Sequence, residues 1–311
     1  CRVNKGAQLP RRKVSGVLLL DKPLGLSSNA ALQQVKRLFR ADKAGHTGSL
    51  DPLATGMLPI CLGEATKLSG VLLESDKRYR ATVRLGEQTT TGDAEGEVIA
   101  RSDASGVAPE AVLAVLPRFL GPQQQVPPMY SALKREGQPL YELARAGVTV
   151  EREPRTIEIR ELQLLDFSPG HFEFEVMCSK GTYIRTLAED IAAALGQRAH
   201  LIALRRVGVA PFWSESSITL DALAALDGDL PALDRLLLAP AAALRHWPSV
   251  CADPVRAAAL AAGRAQRFPG IVRDTRLAVL DVEQRLLGLA NSDADGWVRP
   301  QRWLAMDHAN L

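Results

Sequence analysis

Residues 77–86 read Lys-Arg-Tyr-Arg-Ala-Thr-Val-Arg-Leu-Gly and alternate between two kinds of side chain. The apolar side consists of Tyr79, Ala81, Val83 and Leu85, and the opposite side of Arg78, Arg80, Thr82 and Arg84. A repeat of two residues is the period of a β-strand, so the stretch predicts a strand with one apolar and one basic face.

Further elements surround this strand. Residues 155–166 and 172–177 alternate in the same way and predict a hairpin that turns at Ser168-Pro169-Gly170, while residues 17–20 form a short apolar run that predicts a buried strand. Helical spacing of apolar residues predicts one helix capped by Ser27 or Ser28 and another over 182–195 that ends at Gly196. Residues 108–119 also predict a helix, and residues 122–128 predict a mobile loop rich in Pro and Gln.

The order of these elements predicts an α+β fold, with a mixed, mainly antiparallel central sheet and flanking helices. An Ala- and Pro-rich stretch at 237–254 predicts a linker, and two apolar runs at 277–280 and 286–290 predict a small all-β domain after it. We therefore expect a basic extension over 1–15, a main domain over 16–247 and a small C-terminal domain over 248–311.

Composition excludes several classes of protein. The chain has 311 residues, of which 46% are hydrophobic and 23% charged, as in an ordinary globular protein. The four cysteines are Cys1, Cys61, Cys178 and Cys251, and they contain no CxxC pair, so we expect neither a zinc site nor a disulfide framework. The apolar run at 17–20 is too short for a signal peptide or a membrane span. The sequence thus favours a cytoplasmic protein that does not bind membranes.

The net charge of +3 is unevenly distributed. Residues 1–60 contain ten Lys or Arg against three acids, Asp21, Asp42 and Asp51, which gives +7 locally. A phosphate-bearing partner close to this segment is one interpretation, and solvated basic helix faces are the other.

The loop predicted at 45–56 holds the densest polar chemistry of the chain. It reads Gly-His-Thr-Gly-Ser-Leu-Asp-Pro-Leu-Ala-Thr-Gly, and its glycines and proline indicate a shaped backbone. Asp51 stands in its centre, before Pro52. Taken alone, an Asp-Pro pair in a loop is more typical of a turn-capping carboxylate than of a catalytic one.

This twelve-residue segment resembles the active-site motif of the TruB family of tRNA pseudouridine synthases. Five further segments resemble that family in order and spacing, although Ser27 stands where the family commonly has Thr. They are residues 20–25, 77–86, 127–134, 178–187 and 199–206. The resemblance covers 16 to about 210 well, and beyond 250 it weakens to a likeness to the small RNA-binding PUA barrel. It implies the pseudouridine synthase fold with a PUA-like C-terminal β-barrel.

The resemblance also implies roles for individual residues. Asp51, Tyr79 and Arg185 would be catalytic, with Arg185 keeping Asp51 ionised and Tyr79 stacking on the uracil and assisting proton transfer. The residues implied to bind substrate or RNA are His46, Tyr183, Leu204, Lys22 and Lys134. Lys36, Arg37, Arg205 and Arg206 could contact the RNA backbone as well.

Each of these residues also has an ordinary structural explanation. Arg185 could be an exposed arginine at the start of a helix, and Tyr79 could be a core aromatic residue. His46 could be a hydrogen-bonded loop histidine and Leu204 a core aliphatic residue. Lys22 could orient the active-site loop or contact phosphate, or it could be an exposed turn lysine.

The implied reaction converts a uridine of the tRNA T-loop, at position 55, to pseudouridine. It exchanges a carbon–nitrogen glycosidic bond for a carbon–carbon bond within one nucleotide, so we expect neither cofactor nor metal. Asp51 would attack C6, attack C1′ or abstract the C2′ proton, and each route needs an ionised carboxylate. The target base must be extruded from its stack. The expected partner is tRNA, through its T-loop and stem, and we expect a monomer without an obligatory protein partner.

Three other functions compete with this one. The chain could be a non-catalytic RNA-binding or tRNA-folding protein on the same scaffold, or a guide-RNA-dependent pseudouridine synthase that needs protein partners. It could also be an unrelated hydrolase with an Asp nucleophile, but the sequence contains no GxSxG, HExxH or GxxxxGK[ST] motif in support of hydrolase or NTPase chemistry.

Overall fold

Two main β-sheets organise the chain in the computed structural model, which describes residues 10–135 and 137–304. The strands are β1 (Gly16–Lys22), β2 (Ala44–His46), β3 (Ala54–Leu62), β4 (Lys77–Leu85), β5 (Glu87–Thr89), β6 (Val98–Arg101), β7 (Gly121–Gln125), β8 (Lys134–Arg135), β9 (Gln138–Pro139), β10 (Arg155–Ser168), β11 (His171–Cys178), β12 (Ala199–Val209), β13 (Ile218–Thr219), β14 (Ser249–Cys251), β15 (Gln266–Arg267), β16 (Arg276–Leu280), β17 (Leu286–Ser292) and β18 (Trp297–Trp303).

The helices lie between these strands and cover the sheets. They are α1 (Ser28–Leu38), α2 (Ser69–Glu74), α3 (Pro109–Val115), α4 (Leu140–Arg145), α5 (Ile184–Ala194), α6 (Leu220–Ala224), α7 (Leu230–Asp234) and α8 (Pro254–Ala261), with 3-10 turns at Gly63–Leu68, Leu116–Phe119 and Pro240–Leu244. Within the described ranges, none of these helices has the length and apolar character needed to cross a membrane.

The large sheet has nine strands in the order β13-β1-β3-β12-β4-β11-β10-β7, with β2 paired to β3. Its β1–β13 and β3–β12 pairs are parallel and its other pairs are antiparallel. The predicted mixed, mainly antiparallel central sheet is therefore confirmed.

Strand β4 lies in the middle of this sheet, between β12 and β11. Ala81, Val83 and Leu85 are buried in the main core, as the alternation of residues 77–86 predicted. The opposite, basic face is neutralised by neighbouring acids: Arg78, for example, lies 2.6 Å from Glu161 and 3.1 Å from Glu175. The arginines of this face therefore form ion pairs with nearby acidic side chains on the surface of the sheet.

Several predicted elements are confirmed with small shifts of their ends. Strand β1 follows the apolar run at 17–20, and β10 and β11 form the expected hairpin. Of the two serines that could cap α1, Ser27 does so, because its side chain accepts a hydrogen bond from the Ala30 amide. Helix α5 begins at Ile184 rather than at residue 182.

One local prediction was wrong over most of its length, and two others hold with changes in type or at their ends. Gly121–Gln125 is not a mobile loop but the edge strand β7, which pairs with the start of β10. An edge strand tolerates Pro122 because one side of its backbone needs no partner. The helix predicted over 108–119 is α3 followed by a 3-10 turn with Pro117 in its first turn. The loop at 45–56 is shorter than predicted, since its two ends belong to β2 and β3.

The C-terminal region is built on the second sheet, in the order β14-β16-β17-β18-β15. The prediction that this region is all-β was wrong, because α8 lies within it and begins at an Asp253 cap followed by Pro254. Ala278 and Leu286 share a buried cluster with Leu244 and Val209 of the preceding part. The two regions are therefore packed together through apolar side chains.

The predicted basic extension over 1–15 lies mostly outside the described residues, which begin at residue 10. Arg12 belongs to the folded part, where its guanidinium lies 2.5 Å from Asp234 and also donates to the Phe39 carbonyl. One positive charge of the basic N-terminal segment is thus paired with an acidic residue of the protein itself.

We expect Phe174→Ala to destabilise the protein by about 3–5 kcal/mol, the usual cost of emptying a buried aromatic site. Phe174 is fully buried in β11, opposite Ala81 of β4 and Leu164 of β10. Equilibrium urea unfolding would measure the change. Leu165→Ala is the matched control, because Leu165 is 40% exposed and its loss is expected to change stability by no more than about 0.5 kcal/mol. Equal values for the two variants would contradict the assigned core.

Candidate active site

A cavity of about 680 Å³ opens where the loop after β2 meets the start of α5 and the inner face of β4. Asp51, Tyr79, Tyr183, Arg185 and Leu204 all line it. These five were among the site residues predicted from the sequence, although they are spread over more than 150 positions of the chain. The fold therefore brings the predicted residues to one concave site of a size usual for ligand pockets.

The loop that carries Asp51 is tied down at both ends. The Ser28 hydroxyl at the start of α1 accepts from the Leu50 amide at 2.7 Å and also lies 3.1 Å from the Leu50 carbonyl. On the other side of Asp51, the Pro52 carbonyl accepts from the Gly25 amide at 2.8 Å. The backbone around Asp51 is thus fixed by the turn and helix that follow β1.

Asp51 forms an ion pair with Arg185, with 3.0 Å between Oδ2 and Nη2. The Arg185 side chain is only 6% exposed, whereas the Asp51 side chain is 45% exposed and its free surface faces the cavity. Burial raises the pKa of the Asp51 carboxyl above its ordinary value, and the Arg185 charge opposes that rise. An ionised carboxylate at the cavity wall therefore depends on this guanidinium.

Arg185 is held in place by more than Asp51. Its guanidinium donates to the Thr91 and Tyr130 carbonyls, each at 2.7 Å, and lies 3.6 Å from Oδ2 of the buried Asp93. Asp93 in turn accepts from the Thr91 hydroxyl at 2.5 Å. Arg185 is accordingly not the exposed helix-start arginine of the alternative interpretation, and its direction is set by three separate segments.

Two tyrosines and a leucine form the walls beside Asp51. Tyr79 lies on the inner face of β4, where burial raises the pKa of its phenol and the Arg206 charge partly opposes that rise. The Tyr183 backbone is clamped by the Gln125 amide group, which accepts from its N–H at 2.8 Å and donates to its carbonyl at 3.1 Å. Leu204 is 9% exposed on β12, so it packs into the core and still borders the cavity.

The other three predicted residues do not line the cavity. Lys22 is fully buried, and its ammonium donates to the Pro23 carbonyl at 2.9 Å and the Leu26 carbonyl at 2.5 Å. Burial lowers its pKa to about 8. Lys22 is therefore neither an exposed turn lysine nor placed to contact phosphate, because its side chain stabilises the turn that holds the Asp51 loop.

His46 and Lys134 lie next to the cavity. His46 is half-buried in β2, and its Nδ1 has no hydrogen-bond partner among the described residues, so the alternative of a hydrogen-bonded loop histidine lacks support at that nitrogen. Burial lowers the pKa of its imidazole, with a smaller contribution from the Arg206 charge. Lys134 is exposed in the short β8–β9 hairpin, directly after Leu133 of the cavity wall.

Sequence reasoning missed two charged residues of the site and gave a third the wrong role. Asp93 pairs with Arg185, as described above, and Lys77 lines the cavity while its ammonium donates to carbonyls at the end of α2, including that of Leu73 at 2.5 Å. Burial lowers the pKa of Lys77 to about 8. Arg206 was predicted as an RNA backbone contact, but it is 1% exposed and lines the cavity. Of the neighbouring candidates, Arg205 is ion-paired with Asp21 at 2.7 Å.

The chemistry offered by this site is acid–base or nucleophilic chemistry by one carboxylate with a phenol nearby. Among the described residues, no group of three or more His, Cys, Asp or Glu side chains is arranged to hold a metal ion. The cavity instead combines the Asp51 carboxylate, two buried guanidinium groups and two aromatic rings. Flat side chains beside a charged group suit a planar, polar ligand such as a nucleobase.

Comparison with known proteins shows the family to which the chain belongs. Residues 36–184 match the model of the TruB family pseudouridylate synthase N-terminal domain, and residues 185–245 match the tRNA pseudouridylate synthase B C-terminal domain. The chain is 51% identical to tRNA pseudouridine synthase B of Pseudomonas putida (strain GB-1), covering 94% of this chain and 96% of that protein. It is 52% identical to the protein of the same name from Burkholderia mallei (strain ATCC 23344), covering 96% and 97%.

The fold also has a counterpart among solved structures. A chain in the crystal structure of the archaeal box H/ACA sRNP Nop10–Cbf5 complex superposes with a TM-score of 0.71 at 24% sequence identity. The superposition covers 94% of this chain and 87% of that one. At this identity the likeness concerns the fold alone.

Proposed function

Because the chain belongs to the TruB family of pseudouridylate synthases, we propose that it isomerises one uridine in the T-loop of tRNA, at position 55, to pseudouridine. The observation that carries the proposal is the Asp51–Arg185 ion pair at the wall of a cavity that is also lined by Tyr79. It supplies the ionised carboxylate that each of the three routes requires, next to a ring that can stack on a base.

The reaction balances without an added reagent. The bond between N1 and C1′ breaks, a bond between C5 and C1′ forms, the proton on C5 leaves and N1 gains a proton. In our proposal Asp51 attacks C6 or C1′ or takes the C2′ proton, and Tyr79 assists removal of the C5 proton. Arg185 keeps Asp51 ionised until it reacts, and pairs with the carboxylate again when Asp51 is released at the end of the reaction.

The substrate base enters the cavity only after it leaves its stack in the folded tRNA. We propose that Tyr79 and Tyr183 hold the extruded base with Leu204 beneath it, and that His46 stacks within the opened T-loop. Exposed cations surround this region, among them Lys134 and also Arg155 and Lys180 of the cavity wall. Such cations contact phosphates and position the RNA, without reading its bases.

The C-terminal region is proposed to add a second contact to tRNA. Its five-stranded sheet, order β14-β16-β17-β18-β15, supports a PUA-like RNA-binding domain over 248–311. The proposed boundary at 247/248 falls just before β14. We propose that the chain acts as a cytoplasmic monomer that needs no cofactor, guide RNA or protein partner.

The proposal is tested by incubating the purified chain alone with an unmodified tRNA transcript and mapping pseudouridine chemically along the RNA. The product has the same mass as uridine, so chemical mapping is needed. We expect one modified site, at position 55, and none in a transcript with cytidine at that position. Product that appears only after a guide RNA or protein partner is added would favour the guide-dependent alternative. Tight binding without product would favour the RNA-folding alternative.

A further inference from the structure

Arg206 is a buried cation in the wall of the cavity. It is 1% exposed, and none of the carboxylates that the structure describes lies within ion-pair distance of its guanidinium. Arg185, the other buried arginine of the site, has both Asp51 and Asp93. Burying an unpaired charge is unfavourable. A buried arginine without an acidic partner therefore indicates that its charge has a role in the site.

The contacts of Arg206 connect separate parts of the site. Its Nε donates to the Met57 carbonyl of β3 at 2.7 Å, and Nη2 donates to the Gly48 carbonyl at 3.1 Å. Gly48 lies three residues before Asp51. Because the guanidinium group is planar and rigid, these two bonds together fix the loop relative to the central sheet.

The same guanidinium faces the phenol of Tyr79. Arg206 on β12 is directly opposite Tyr79 on β4, and the two side chains line the same cavity. The guanidinium is close enough for its charge to lower the pKa of the phenol, against the stronger effect of burial. Arg206 therefore lies between the loop of the proposed nucleophile or base and the proposed proton-transfer residue.

A glycine in β3 allows the backbones of β3 and β12 to approach closely at Arg206. On its other side, Arg206 is opposite Gly56 of β3, whose φ is +100°. A Cβ at Gly56 would lie 2.2 Å from the Arg206 carbonyl oxygen, so only glycine permits this approach. Strand β12 thus fits closely against β3 at the residue where the Arg206 side chain turns into the cavity.

We propose that Arg206 is a positioning residue of the reaction, which holds the Asp51 loop and the Tyr79 phenol in one arrangement. This inference rests on the proposed function for its catalytic meaning, but the placement it describes can be tested without turnover. It also distinguishes Arg206 from Arg185, which contacts Asp51 itself.

The test uses Arg206→Gln with Arg205→Gln as the matched control. The control removes the same charge from the preceding position of β12, where the side chain points outward to Asp21. The chain has four tyrosines. NMR of protein labelled at tyrosine Cζ follows them separately, and Tyr79→Phe assigns the Tyr79 signal.

In Arg206→Gln we expect the Tyr79 signal to shift and its ionisation to move to higher pH, because the phenolate loses a nearby cation. In Arg205→Gln all four signals should stay in place. Turnover of T-loop RNA by Arg206→Gln should fall on the order of 100-fold in kcat with KM little changed, as expected when reacting groups are misplaced without loss of binding. Arg206→Lys, which keeps the charge but not the planar fork, should recover part of the Tyr79 ionisation and little of kcat.

An unchanged Tyr79 signal in Arg206→Gln, or normal kcat, would overturn the proposal. If the glutamine variant does not fold, Arg206→Lys carries the same test. If neither folds, the guanidinium signals of wild-type protein are compared with those of Tyr79→Phe: a shift of the buried, slowly exchanging guanidinium supports the contact, and no shift refutes it. Failure of the wild-type chain to make pseudouridine would refute the proposed function but leave the Tyr79 signal as a valid test of Arg206.

Discussion

Asp51→Asn is expected to abolish pseudouridine formation while leaving RNA binding intact. Asparagine has the shape of aspartate. Its amide oxygen can still accept a hydrogen bond from Arg185, which in the wild-type protein lies 3.0 Å from Oδ2 of Asp51. It can neither attack the nucleotide nor take a proton. We expect the rate to fall by at least about 10⁴-fold, the upper end of what a positioned acid or base contributes. Chemical mapping of the T-loop under single-turnover conditions would measure the loss.

The matched control is Asp166→Asn, which makes the same chemical change at an exposed position of β10 and should retain full activity. RNA affinity, measured by filter binding, should be unchanged or slightly higher in Asp51→Asn, because one negative charge near the phosphates is removed. If Asp51→Asn still formed product at the wild-type rate, Asp51 would have no part in the mechanism. Loss of binding together with loss of product would instead indicate that the site had collapsed.

The placement of Asp51 shows what the sequence could and could not predict. The loop around it was marked by its glycines and proline and by the family resemblance. The alternation along β4 placed Tyr79 on the apolar face of the strand, and only the resemblance assigned it to the site. The ion pair with Arg185 depended on the resemblance, since periodicity alone cannot bring residues 51 and 185 together. That contact arises because the tertiary fold brings the start of α5 to the loop.

The position of Arg206 in the cavity could have been predicted from the alternation of residues along β12. In β12, residues two apart share a face, so the assignment of Leu204 to the cavity already placed Arg206 beside it and Arg205 on the outside. The pair of arginines was instead interpreted by its charge, which favours an exposed RNA contact. Alternation along a strand was the stronger criterion here, because it separates two identical neighbours.

Lys22 and strand β7 show the limits of composition. A lysine after an apolar strand and before Pro23 suggests an exposed turn, yet the turn folds over Lys22 and satisfies its ammonium with backbone carbonyls. The Pro- and Gln-rich segment after Leu120 suggests a loop, yet β10 offers it an unpaired edge. In both cases the interaction that determines the structure is made with backbone groups or with a segment distant in the sequence. The local sequence therefore does not reveal it.

Arg185→Gln is expected to lower the rate of pseudouridine formation by about 10²–10³-fold, the range seen when a preorganised charge is removed from an active site. Its pH dependence should change as well. Burial raises the pKa of Asp51 and the Arg185 charge opposes it, so removal of that charge raises the pKa further. Since only the ionised carboxylate reacts, the acidic limb of the pH–rate profile should move to higher pH.

The measurement is release of tritium from RNA labelled at C5 of uridine, followed over a pH series with enzyme in excess. Arg185→Lys should lie between the wild type and the glutamine variant, because one ammonium cannot reach Asp51 and the Thr91 and Tyr130 carbonyls together. This variant also preserves a charge beside the buried Asp93, so it keeps the test valid if Arg185→Gln unfolds.

Two controls separate an electrostatic effect from general damage to the site. Arg118→Gln removes an exposed arginine from the 3-10 turn after α3, and its profile should coincide with that of the wild type. Asp93→Asn should move the acidic limb in the opposite direction, to lower pH, because the Asp93 charge raises the pKa of Asp51. If Arg185→Gln lost activity equally at every pH, with the limb unmoved, Arg185 would hold the site together without controlling the ionisation of Asp51.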